Sequence, residues 1–136
     1  LDLRVLLEGG IVRRAAERAG DAELEALDAF READTDDVPG FTAYNRAFHT
    51  RLAQLSGNRR LADEMRRVME FYDRLCVVSL RNQKSKDCSE PLADHVAIID
   101  ALQARDGTRA ARLIARHVGR SRDALMRGLG QRPIVE

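Results

Sequence analysis

The sequence predicts an all-α fold, an antiparallel bundle of about six helices. Three observations carry this expectation. Apolar residues recur at helical three-and-four spacing along nearly the whole chain, and no stretch keeps the two-residue alternation of a half-buried strand. Each periodic stretch ends in cap or turn chemistry instead of running on. With 136 residues, 44% hydrophobic and 33% charged, the chain is one domain's worth and can fill one core under a charged surface.

The first helix spans Leu1 to Ala19, with Gly9 and Gly10 each weakening its middle by roughly 1 kcal/mol relative to alanine. Gly20 stops it, and Asp21 caps a second helix that runs to about Ala33 with Leu24, Leu27 and Phe30 on one side. Asp34 to Gly40 (DTDDVPG) reads as a loop by its turn residues. The third helix, Phe41 to about Ser56, carries Phe41, Tyr44, Phe48, Leu52 and Leu55. After Ser56-Gly57-Asn58 comes a long fourth helix to about Leu80, with Leu61, Met65, Val68, Tyr72 and Leu75 in step and Met65, Met69 and Phe71 expected in the core. Polar residues 81–89 read as a loop, and Ser89-Glu90-Pro91 opens a fifth helix to about Arg105. Asp106-Gly107 punctuates before a sixth helix, Thr108 to about Gly128, and residues 130–136 form a tail without a pattern.

Composition narrows the function. With 23 basic and 22 acidic residues the net charge is +1, which argues against a chain whose main task is neutralising nucleic-acid phosphates. Arg109, Arg112, Arg116 and Arg120 line one side of the sixth helix, where a solvated face is the simpler reading, and no helix-turn-helix is evident. The longest apolar runs are a few residues, too short to span a bilayer, and no signal peptide is visible. Cys76 and Cys88 lack the CxxC spacing, so two thiols in a cytoplasmic protein are expected ahead of a bridge. The chain opens on Leu1 and so reads as a domain or fragment of something longer.

The chain has three histidines, and each falls on an apolar helical face. His49 follows Asn45 by four residues, which sets the two about 40° apart around the third helix. His95 shares a stripe with Leu92, Ile99 and Leu102, and His117 shares one with Ala110, Leu113 and Ala124. A buried imidazole needs partners for its nitrogens, since an unsatisfied one costs about 1–3 kcal/mol. Three from three helices can be satisfied together by one metal ion, for which neutral imidazole is an ordinary ligand. Three separate histidines bonded to their neighbours satisfy the same need, and no HExxH, CxxC or ExxH motif decides between the two.

The residues also resemble a known family. Asn45-Arg46-Ala47-Phe48-His49 with Leu52, then Ser56-Gly57-Asn58 and Leu61, is similar to a signature in which Asp or Asn precedes FHxxL and a later GNxxL. Asp94-His95 with Ile98, Ala101, Asp106, Ala110 and His117 is similar to its companion, EHxxIxxAxxxxDxxxAxxxxxxH. Arg4 to Glu8 resembles an opening RxxLE. Together they resemble the FadR C-terminal domain (FCD) family, the all-helical effector-binding and dimerising halves of GntR-type bacterial transcription regulators. The likeness runs from about Arg4 to Ala124, and six helices suit the smaller VanR-like branch.

The resemblance implies a domain over residues 1–129, a homodimer, and DNA binding only through a winged helix-turn-helix that lies outside this chain. It implies a divalent transition metal, zinc first and nickel or another ion as alternatives, on Asn45, His49, His95 and His117. The family's usual aspartate is Asn45 here, so the site would keep the metal's full charge, hold the ion less tightly and pull harder on an anion. The effector would be a small organic acid. Arg4 and Glu8 fall inside the apolar arc of the first helix, where an arginine can grip a carboxylate bidentately; a surface i,i+4 pair is the plainer alternative. The chain is thus expected to be a sensor, not an enzyme. A metal-dependent hydrolase would need a general base, for which Glu8 is the one candidate, and a ligand-free interaction module would keep the three histidines apart.

Overall fold

The computed structural model describes residues 2–80 and 87–130. Leu1, residues 81–86 of the expected loop and residues 131–136 of the expected tail lie outside them. The described residues form α1 (Asp2–Arg18), α2 (Asp21–Glu25), a 3-10 turn (Ala26–Phe30), α3 (Val38–Leu55), α4 (Arg59–Leu80), α5 (Ser89–Gln103) and α6 (Gly107–Gly130), and no strand is found among them.

Two boundaries differ from the sequence reading. The second helix is α-helical only to Glu25 and then tightens into the 3-10 turn, instead of continuing to Ala33. Leu24, Leu27 and Phe30 are spaced by three, and a winding of three residues per turn stacks them on one edge. Leu24 and Leu27 are buried, and Phe30 packs against the core beside them. The third helix starts at Val38, inside the expected loop. Asp37 caps it by accepting from the Gly40 backbone N–H at 3.2 Å, and Pro39 sits in the first turn, where a missing N–H costs nothing.

Two turns fix how the helices meet. Gly57 ends α3 at φ +70°, a left-handed conformation that a side chain would strain. Arg105 also takes a positive φ, 55°, and its guanidinium donates to the carbonyls of Ala16 (3.1 Å) and Ala19 (2.8 Å). That closes the last turn of α1 from the α5–α6 connection. A Cβ on Gly107 would come within 3.3 Å of the Arg13 Cα, so the glycine lets α6 begin hard against the end of α1.

The pairs α3/α4 and α5/α6 are antiparallel, as their short connections require. α1 runs alongside α3 in the same direction, with Glu8 near His49 and Arg14 near Ser56. Phe48, Met65, Met69, Ile98, Ile99, Leu102 and Ile114 are fully buried between the helices. Phe71, expected in the core, is instead 57% exposed, with the Arg74 guanidinium near its ring. Its neighbours Met69 and Tyr72 take the inward arc of α4. Cys76 and Cys88 are both buried and form no disulfide among the described residues. No helix among the described residues is long and apolar enough to cross a membrane.

Candidate functional site

Three helices bring the histidines together in the interior. His49 on α3, His95 on α5 and His117 on α6 are at most 2% exposed. The Nε2 atoms of His95 and His117 are 3.2 Å apart, and those of His117 and His49 are 3.3 Å apart. One ligand atom from each of the three lies within 4.8 Å of the others.

The outer nitrogens decide which way the lone pairs face. His49 Nδ1 is in close contact with the Glu8 carboxylate, and His117 Nδ1 donates to Asp94 Oδ2 at 3.1 Å. His95 Nδ1 meets the Tyr44 hydroxyl at 3.1 Å. That hydroxyl spends its one proton on the Phe30 carbonyl at 2.6 Å, so it accepts from His95. All three imidazoles therefore carry hydrogen on Nδ1 and direct Nε2 lone pairs at one another. Lone pairs at this separation repel unless a proton or a metal ion lies between them, and His49 Nε2 has the Arg4 Nη2 donor beside it at 3.3 Å as well.

The donor set fits a transition ion. Metal–imidazole bonds of about 2.0–2.1 Å at tetrahedral angles put neighbouring nitrogens about 3.3 Å apart, close to the two separations found here. Each ring also has an acceptor on its far nitrogen, as metal-bound histidines almost always do. Burial drives His49 down to about 4, helped by Arg4 and His117 and opposed by Glu8, and burial drives His95 well below its ordinary range. His49 and His95 are thus held neutral, the form that binds metal.

Arg4 and Glu8 close the site from α1. Arg4 Nε donates to Glu8 Oε2 at 2.7 Å, and the two side chains are 1% and 3% exposed. The surface-pair alternative is thereby overturned: the apolar arc of α1 carries both groups into the interior. Arg4 Nη2 lies 3.3 Å from His49 Nε2, and Cζ stands 4.5 Å above the Tyr72 ring centroid. Burial alone would raise the Glu8 carboxyl, but Arg4 and then His49 outweigh it and hold it at about 2. A carboxylate paired with both Arg4 and His49 has little free basicity to offer as a general base.

Asn45 stands one turn before His49 on α3 and is half-buried. Among the His, Cys, Asp and Glu side chains of the described residues, the three histidines make up the close cluster. On α6, Arg109, Arg112 and Arg116 are exposed as expected, whereas Arg120 turns to Asp94 at 2.5 Å and so steadies the acceptor of His117. Sequence reasoning missed Tyr44, Asp94 and Tyr72 as parts of the site. In the sequence Tyr44 and Tyr72 fall on apolar helical stripes, and the one signal there is that a buried tyrosine needs a partner for its hydroxyl.

Comparison with known families gives one result. A family model described as FCD domain matches residues 1–120. No curated protein matches the chain.

Proposed function

Because the chain belongs to the FCD domain family, the C-terminal effector-binding domains of GntR-type regulators, we propose that it senses a small organic acid at a metal held by His49, His95 and His117. The reading extends the domain over residues 1–129, with Asn45 as a fourth, neutral ligand. The carrying observation is the convergence of three Nε2 atoms whose lone pairs face inward. Bound there, a divalent ion supplies positive charge and coordination positions for an anionic oxygen. Zinc suits three imidazoles and an amide best, with nickel next.

The chain's own residues do the rest. Glu8, Tyr44 and Asp94 hold the ring orientations, and Arg4 adds a fixed cation that a carboxylate can pair with. An apolar ligand would leave these charges unpaired in a dry interior, which is costly. Effector binding would shift a cytoplasmic homodimer between two arrangements and so reposition DNA-binding domains that precede this one. The reading is that of a sensor, in keeping with regulatory FCD domains and with Glu8 being tied up by Arg4 and His49.

A thermal-shift screen of organic acids tests this. Ligand at a hundred times its dissociation constant should stabilise the chain by about 2.7 kcal/mol. Hits should need zinc, shrink with a chelator, and shrink in His95→Ala and His117→Ala. A neutral or cationic compound winning the screen, or carboxylates stabilising equally without metal, contradicts the reading.

A further inference from the structure

Arg4 meets the histidine cluster at the atom through which His49 would bind an ion. Its Nε donates to Glu8 Oε2 at 2.7 Å, and its Nη2 lies 3.3 Å from His49 Nε2. A guanidinium has donors only, so the second contact runs from Arg4 to the ring. His49 Nδ1 faces the other oxygen of the Glu8 carboxylate and carries the ring hydrogen. That leaves Nε2 with a single lone pair in the ring plane, and the bond from Arg4 uses it. A metal–imidazole bond needs the same lone pair.

We propose that Arg4 is an internal competitor of the metal: the guanidinium and a divalent ion take the His49 lone pair in turn, so that loading the site requires Arg4 Nη2 to release His49 while Nε stays on Glu8. The inference rests on the metal reading above and adds to it what sets the strength of the site. Two costs fall on the ion. The donor it displaces belongs to a side chain 1% exposed, so it is left in the interior and not handed to water. The guanidinium charge also stays close by, where it repels a cation. Glu8 is the pivot, with one oxygen on Arg4 and the other on His49, so both competitors are held to one carboxylate. The Arg4 Cζ stands 4.5 Å above the Tyr72 ring centroid, so a release of His49 is felt at Tyr72 on α4.

The test is a calorimetric zinc titration of the parent chain and of Arg4→Met, which keeps an unbranched apolar stem and removes both the donors and the charge. Arg4→Met should bind zinc roughly tenfold or more tightly, the usual scale for a hydrogen bond to a charged group. A residue that only supported the fold would give the opposite sign. Because Arg4→Met leaves Glu8 without its cation, the substitution is also made on Glu8→Gln, and the gain should persist from Glu8→Gln to the double variant. A third measurement uses the unaltered chain. It has no tryptophan, and Tyr44 and Tyr72 are its two tyrosines. Saturating zinc should give a tyrosine absorbance difference, part of which disappears in Tyr72→Phe. Zinc binding that is equal or weaker without Arg4, a gain confined to chains that keep Glu8, or zinc saturation with no Tyr72 contribution overturns the proposal while the metal reading stands. Zinc bound by the Arg4 variants and not by the parent supports it most strongly. If neither parent nor variants bind zinc, the metal reading fails and the proposal with it.

Discussion

The Phe48 ring lies against the His95 imidazole, with centroids 4.2 Å apart and planes 23° apart. Phe48 is fully buried and its neighbour in sequence, His49, is the α3 member of the histidine cluster. One residue thus ties core packing to the site. With Tyr44 on Nδ1 and Phe48 on its face, the His95 ring has little freedom left.

Phe48→Ala should therefore cost about 3–5 kcal/mol in stability, as emptying a buried aromatic position does. It should also weaken zinc binding although it removes no ligand. Chemical denaturation and metal titration of the same variant read the two effects. Unchanged metal affinity would mean that the stack does not orient His95.

Glu8→Gln keeps the shape of the side chain but removes the charge that faces Arg4 and His49. An uncompensated arginine in the interior should cost about 3–5 kcal/mol. The amide keeps one oxygen but turns an NH2 donor to either Arg4 Nε or His49 Nδ1, so His49 loses its charged acceptor, which should lower zinc affinity by up to roughly 10–100-fold. A variant as stable as the parent would contradict the buried pair.

Acid should unfold the chain, and the sign follows from the direction of the shifts. His49 is held at about 4 in the folded state, so below its ordinary 6.5 the unfolded chain takes up a proton that the folded chain refuses. Its contribution is intact above about 6.5 and is lost as pH falls toward about 4. His95, held well below its ordinary value, acts in the same direction. Glu8, held at about 2, contributes stability above its ordinary 4.5 that is lost as pH falls from there toward about 2. Stability measured from pH 7 to pH 3 should fall steadily, with zinc released on the way as the imidazoles protonate. A flat profile between pH 7 and pH 5 would contradict the burial of neutral histidines.

Much of this was legible in the sequence. Five of the helices follow from apolar spacing and cap residues, because burial of an amphipathic face is what stabilises them. The second helix was misread because Leu24, Leu27 and Phe30 mark an inward edge equally well at three or 3.6 residues per turn. The start of α3 was missed because Asp37, Pro39 and Gly40 belong both to turn chemistry and to helix N-termini. The histidines were found from their faces, and Arg4 and Glu8 from the arc they share. Tyr44 and Asp94 stay hidden, since their roles depend on what lies across the bundle and no local spacing encodes that.

Asn45→Asp should raise affinity for zinc, because it adds a negative ligand of the same size to three neutral imidazoles. A calorimetric titration checks this directly. Equal or weaker binding in the variant would show that Asn45 is not a ligand.

The central claim, that His49, His95 and His117 hold one ion, is tested most directly by metal content. Untagged chain is dialysed to equilibrium against zinc and analysed beside His95→Ala and His117→Ala variants whose helical content is confirmed by circular dichroism. The account predicts one zinc per chain in the parent and a small fraction of that in either variant. Parent chain that retains no zinc, or variants that retain as much as the parent, would contradict it.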